Sequence, residues 1–203
     1  MINKKMENSV RSLVNLYTVI IGVALSLAVV RLVNGSGGLM TTTAPALLLF
    51  AAFVATLFPF YHGALRHLDD AYIENDSTTI KTGALVFDFI LLFAHGLVFV
   101  VLALLISVPN QFAWVLIVLL GVDVLWGVFA HFAASSAQGL GAELKWSIIN
   151  FIFVCFWTWY LVAHNLYLGE TKESMPLAIL IFVTCVLRSI ADYASCTKFY
   201  FPE

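Results

Sequence analysis

Six long apolar stretches, each bounded by polar or helix-breaking residues, constrain this chain more than any other feature. A helix that crosses a hydrocarbon core of about 30 Å needs about 20 residues. Windows of that kind cover residues 12–33, 44–65, 82–107, 111–133, 146–168 and 176–196. Because the segments between them are short, we predict a single transmembrane domain over residues 1–203. The expected fold is an all-α polytopic membrane protein, a six-transmembrane-helix bundle with short loops.

The composition excludes a soluble domain. The sequence is 62% hydrophobic and 11% charged, whereas soluble domains average about 45–50% apolar and about 25% charged residues. Lys and Arg number 10 against 12 Asp and Glu, so no basic excess is available to neutralise nucleic-acid phosphates. We therefore expect the lipid bilayer as a partner, and no nucleic acid.

The residues between the apolar windows are typical of helical membrane proteins. Residues 34–38 read Asn-Gly-Ser-Gly-Gly, Pro109-Asn110 suits a tight helical hairpin, and Pro176 suits the first turn of a helix. Strands of a membrane barrel would instead give alternating segments of about 10 residues, and the sequence has none. The first window is longer than the apolar part of a signal peptide and no cleavage site follows it, so we expect it to be retained.

The distribution of Lys and Arg predicts the orientation. If the N-terminus is cytoplasmic, seven basic residues lie at the cytoplasmic ends of the spans, and only Arg31 and Lys172 lie at the outer ends. By the positive-inside rule, we expect both termini in the cytoplasm and the protein in the plasma (inner) membrane. The seven cytoplasmic residues are Lys4, Lys5, Arg11, Arg66, Lys81, Lys145 and Lys198.

Strongly polar side chains within the windows are few and lie mostly in the predicted cytoplasmic half. An ionisable residue at this depth costs about 2.5–3.5 kcal/mol on insertion scales, so it usually faces the bundle interior or a water-filled cavity. Asn150 and Tyr193 are two of these polar side chains. The candidates for lining a pore or forming a polar cluster are Asn15, His62, Asp88, His95, Asp123, His131, Arg188 and Asp192.

Two pairs of these candidates have helical spacing. Arg188 and Asp192 are four residues apart and can form an ion pair within the last span. That pair either locks its helix against the neighbours or contacts a permeating ion, a proton or a partner. If the pair is isolated, loss of Asp192 strands the buried Arg188. Asp88 and His95 can line one surface of the third helix, so we expect Asp88 to influence conductance rather than assembly.

Histidines on successive spans raise the alternative of a haem protein. His62, His95, His131 and His164 lie on four consecutive spans at near-regular intervals. This is similar to the di-haem transmembrane cytochromes that pass electrons from ascorbate, which also have six helices. Only His62 and His131 approach the same end of the bundle, so the alternative is a membrane b-haem or proton-coupled oxidoreductase using that pair. No Zn or Fe ligand spacing accompanies these residues, so we predict no metal site and, without haem, no cofactor.

The topology and the position of His62 resemble one further family. Six spans in a chain of 203 residues, with His62 at the end of the second span, look like the bacterial members of the lysosomal potassium-channel family. Those proteins assemble as tetramers around their first helices. Their first-helix signature, Phe-Ser-Asp preceded closely by Arg, is not matched, because Arg11 is followed by Ser-Leu-Val-Asn-Leu-Tyr-Thr. The resemblance covers the topology and His62 alone.

The chain offers little protein outside the membrane with which to perform chemistry. No G-x-S-x-G, H-E-x-x-H, Walker A or G-x-G-x-x-G pattern occurs, so we name no catalytic residues and favour a role other than an enzyme. The sequence predicts a small homo-oligomeric membrane channel or pore-forming protein for ions, with a polar vestibule on the cytoplasmic side. Gly22 and Ser26 give the first helix a small-residue face for packing between copies. The other alternative is a structural membrane subunit of a larger complex, with a cytoplasmic partner protein.

Overall fold

A computed structural model describes residues 4–34, 43–74, 82–133, 141–167 and 174–202. These residues form seven α-helices, and the described part of the chain contains no strand. Six of the helices are long and apolar enough to cross a membrane, which confirms the predicted all-α six-helix architecture. The helices are α1 (Lys4–Asn34), α2 (Ala44–Asp69), α3 (Thr82–Leu104), α4 (Pro109–Ala133), α5 (Ala142–Tyr167), α6 (Ser174–Ser195) and the short α7 (Thr197–Tyr200), and α2 continues into a π-helical turn over Asp70–Glu74.

A proline inside α2 explains one of the joints between helices. Pro59 has no backbone N–H, so the carbonyl of Ala55, four residues earlier, has no intrahelical partner. Ser189 of α6 donates its hydroxyl to that carbonyl at 2.7 Å. The proline therefore costs the helix one hydrogen bond and creates an acceptor that ties α2 to α6.

Glycines set the closest approaches between helices. A Cβ atom added to Gly96 of α3 would lie 2.6 Å from the side chain of Ile20 on α1. A Cβ added to Gly127 of α4 would meet the carbonyl oxygen of Glu143 on α5 at 2.7 Å and would meet the Ser147 hydroxyl still more closely. Small residues allow such close backbone packing in membrane helices, and α1 with α3 and α4 with α5 are among the most extensively packed pairs.

The two ends of the bundle differ in chemistry. We call the end at which α1 begins the proximal end and the opposite end the distal end. The distal half of the core has no buried charged side chain among the described residues, and its largest fully buried side chains include Leu49, Phe53, Phe99, Phe112 and Leu116. The buried charged residues lie in the proximal half and near the middle. They are His67, Asp88, His95, Asp123, Arg188 and Asp192.

Candidate functional site

Asp88 lies at the centre of one group of buried polar side chains, which we call the Asp88 cluster. Its Oδ2 accepts a hydrogen bond from the Tyr72 hydroxyl at 2.6 Å, and its Oδ1 accepts one from Trp126 Nε1 at 3.0 Å. His67 Nε2 lies 3.4 Å from Asp88 Oδ2, while His67 Nδ1 lies 3.6 Å from Glu143 Oε1. Side chains from α2, from its π-helical extension and from α4 thus converge on a carboxylate of α3, and this arrangement is typical of a structural lock between helices.

A second group, the Arg188 cluster, lies deeper in the bundle. Arg188 Nε donates to Asn150 Oδ1 at 2.7 Å, and Asn150 Nδ2 donates to Asp123 Oδ2 at 2.5 Å. Arg188 Nη2 also lies 3.6 Å from Asp192 Oδ2, and its guanidinium covers the Phe60 ring at 4.6 Å from the centroid. Asn150 therefore bridges the cation of α6 to a carboxylate of α4.

The short helix α7 covers the proximal side of the Arg188 cluster. The Tyr200 hydroxyl donates to Asp192 Oδ2 at 3.1 Å. Burial raises the pKa of the Tyr200 phenol above its usual range, and the nearby Asp192 carboxylate adds to this effect. The hydroxyl therefore keeps its proton and remains a donor to Asp192.

A small cavity of about 20 Å³ lies beside the Arg188 cluster, between α2, α4, α5, α6 and α7. Three buried atoms on its lining residues have no hydrogen-bond partner among the described residues: Arg188 Nη1, Trp146 Nε1 and Asp192 Oδ1. Gly63 also lines the cavity, and a Cβ atom there would lie 3.3 Å from the Tyr200 hydroxyl. A polar cavity of this size accommodates one water molecule, which could accept from the two donors and donate to Asp192.

The structure separates Asp88 from His95, although both side chains are buried. Asp88 belongs to its own cluster, whereas His95 Nε2 lies 3.7 Å from Asp123 Oδ1. His67, Tyr72 and Glu143, which complete the Asp88 cluster, are not among the candidate residues predicted from the sequence. The only sequence signal for these residues is that they follow or precede an apolar window by a few residues.

His62 and His131 have separate surroundings in the structure. His62 Nδ1 lies 3.4 Å from the Tyr193 hydroxyl, and its ring packs against Tyr200 at 4.9 Å between centroids. His131 packs beside Phe132, and no contact between His62 and His131 is recorded in the described segments. Within those same segments, no group of three or more His, Cys, Asp or Glu side chains is arranged to hold a metal ion.

Asn15 lies on the surface of the bundle and not in its core. It belongs to a row on α1 with alternating spacings of four and three residues, which we call the α1 face: Asn8, Ser12, Asn15, Val19, Gly22 and Ser26, all of them exposed. Away from the helix ends, the other described spans expose apolar side chains, apart from Cys155 and Thr158 of α5. A groove of about 420 Å³ beside this face is lined by residues of α1 and by Phe89 of α3.

Comparison of the chain with protein-family models, with curated proteins and with solved structures gives no match.

Proposed function

We propose that this protein is a small homo-oligomeric ion channel whose conducting pathway runs between protomers along the α1 face. The observation that supports this proposal is the row of exposed polar and small residues on α1, set among spans whose exposed residues are otherwise almost all apolar. A surface of this kind suits water better than lipid tails. Oligomerisation turns it towards an internal axis.

The packing of the single bundle supports a pathway between protomers over one through a protomer. The distal half of the core is filled by large apolar side chains, including Phe53, Phe99 and Leu116, which are at most 1% exposed. Cores packed in this way leave no room for a chain of waters. The buried polar clusters therefore do not continue as a channel through the bundle.

Asn15 supports association of copies through α1. Its side chain is exposed within the apolar part of the helix, and no hydrogen bond of that side chain is recorded among the described residues. An amide left without partners in hydrocarbon is costly, and Asn commonly bonds across helices in membranes. Since an amide both donates and accepts, symmetry-related Asn15 side chains can satisfy one another or line a hydrated pore.

The spacing of the α1 face supports packing around an axis. Alternating steps of four and three residues form the seam of a left-handed helical assembly. The face also contains Val19, which is 62% exposed, and Val29 continues it distally at 45% exposure. Rings of such apolar residues would narrow the pathway and gate it by dewetting.

The orientation and location belong to the same proposal. The seven-to-two distribution of Lys and Arg favours a cytoplasmic proximal end under the positive-inside rule. Both termini would then be cytoplasmic, and the protein would reside in the plasma (inner) membrane. The polar end of the α1 face, with Asn8 and Ser12, would form the cytoplasmic vestibule.

Asn15→Leu is expected to abolish the current or to lower it at least about tenfold, because it replaces the polar lining with an apolar ring that dewets. The measurement is current across planar bilayers containing purified protein, with light scattering in detergent to give the protein mass of the particle. The wild type is expected to conduct and to have a mass of several times 22.4 kDa.

Thr158→Leu is the matched control, because Thr158 is also an exposed polar residue of a span but lies on α5. It is expected to conduct as the wild type does. The proposal is contradicted if the wild type carries no current, if it is monomeric under several detergent conditions, or if Asn15→Leu conducts as well as Thr158→Leu.

A further inference from the structure

His95 and Asp123 form a close pair of titratable side chains near the middle of the bundle. His95 Nε2 lies 3.7 Å from Asp123 Oδ1, and the two residues are 2% and 7% exposed. Each belongs to a different helix, α3 for His95 and α4 for Asp123. The pair is therefore fixed by packing between helices and is shielded from solvent.

The contacts of His95 determine where its ring carries hydrogen. His95 Nδ1 lies 3.1 Å from the carbonyl oxygen of Leu91, which can only accept, so Nδ1 bears the hydrogen. In the neutral ring, Nε2 then presents a lone pair. That lone pair would face the oxygen of an ionised Asp123, and two acceptors facing each other repel. One proton placed between the two atoms removes the repulsion, whether it is bonded to Nε2 or to Oδ1.

The charges around the pair indicate independently that one proton is bound there. Two carboxylates, Asp123 and Asp192, accompany a single guanidinium, Arg188, and all three are buried. With His95 neutral, the cluster has a net charge of minus one, which is costly at this depth. One added proton makes the cluster neutral. The polar and titratable groups around the cluster are Tyr17 of α1, His95 of α3, Asp123 of α4, Trp146 and Asn150 of α5, Cys185, Arg188, Asp192 and Tyr193 of α6, and Cys196 and Tyr200 beyond it.

We propose that His95 and Asp123 hold one exchangeable proton between Nε2 and Oδ1, so that the pair is a proton-binding site inside the bundle. The adjoining cavity of about 20 Å³ is lined by both Asp123 and Asp192 and can hold one water molecule. Asp192 Oδ1, which has no partner among the described residues, is the acceptor towards which such a water would pass the proton. The site does not depend on the α1 pathway and is tested separately from it.

The test uses the full-length wild-type protein in lipid nanodiscs at neutral pH. Nitrogen NMR of labelled histidine distinguishes an imidazolium from a neutral ring, and infrared spectroscopy detects a protonated carboxyl. The expected result is either an imidazolium at His95 or a carboxylic acid at Asp123, since each places one shared proton on the pair. A neutral His95 together with an ionised Asp123 would overturn the proposal.

Two variants assign the signals. Asp123→Asn is expected to remove the carboxylic acid band or to convert the His95 imidazolium to the neutral ring, because the amide can donate to Nε2 directly. Glu143→Gln is the control, since Glu143 contacts His67 in the other cluster, and it is expected to leave the signals of the pair unchanged. If Asp123→Asn does not fold, His95→Gln assigns the imidazolium signal by its loss. Signals that survive loss of the paired residue would also contradict the proposal.

Discussion

Arg188→Ala is expected to be among the most destabilising single substitutions in the bundle. The guanidinium is hydrogen-bonded to Asn150, pairs with Asp192 and lies within electrostatic range of Asp123. Removing it takes away the guanidinium that the buried Asp192 and Asp123 side chains share. Breaking a buried pair in this way costs roughly 3–5 kcal/mol, and thermal unfolding in detergent measures the loss.

Asp192→Ala is the comparison that makes the first prediction specific. If Arg188 and Asp192 formed an isolated pair, Asp192→Ala would leave Arg188 without a partner. The structure instead gives Arg188 a further partner in Asn150 and a second carboxylate in Asp123. Asp192→Ala is therefore expected to be clearly milder than Arg188→Ala, and Arg188→Ala combined with Asp192→Asn should recover part of the loss. Equal destabilisation by the two single substitutions would contradict the shared network.

Asp88→Asn is expected to destabilise the fold and not to alter conduction selectively. The carboxylate accepts from Tyr72 and Trp126 and lies beside His67. An asparagine in the same place presents an NH₂ group to one of these donors and removes the charge. Since hydrogen bonds to charged groups contribute about 1.5–3 kcal/mol each, the melting temperature should fall by more than it does in Tyr72→Phe.

Tyr72→Phe is a graded control for this prediction, because it removes one donor and leaves the carboxylate and its other partners. The ratio of current to folded protein should stay near that of the wild type in both variants. If Asp88→Asn melts like the wild type and changes conductance, then Asp88 contributes to the pathway and the assignment of a structural lock is wrong.

The six helices can be predicted from the sequence because burial in lipid requires long uninterrupted apolar runs. Their limits cannot be predicted in the same way. α1 begins at Lys4, about two turns before the apolar window, because polar residues also continue a helix in water. Arg11 and Glu7 form an exposed i, i+4 ion pair at 2.6 Å that stabilises this extension.

The polar clusters are only partly predictable. Depth and residue type identify Asp88, His95, Asp123 and Arg188 as buried, because such side chains avoid lipid. Their partners depend on how helices distant in the sequence pack, as with Asn150, which joins α4 to α6. Helical spacing on one span therefore groups Asp88 with His95, whereas contacts across spans assign them to different clusters.

The position of Asn15 on the α1 face could not be deduced from its type or depth. A polar residue in an apolar window normally turns inward, but the inward positions of α1 are occupied by Leu13, Tyr17, Ile21 and Ala24. The period of these apolar residues decides which side of α1 faces the core. That same period leaves Asn15 on the outside.

Ion selectivity after charge substitution at Asn15 tests the proposed pathway most directly. Reversal potentials are measured in planar bilayers under a salt gradient for the wild type, Asn15→Asp and Asn15→Lys, with Thr158→Asp as the control on α5. A ring of charges lining a pore favours ions of the opposite sign. The proposed channel predicts a shift towards cation selectivity in Asn15→Asp, a shift towards anion selectivity in Asn15→Lys and none in Thr158→Asp. Unchanged reversal potentials in both Asn15 variants, with normal assembly and current, would contradict a pathway along α1.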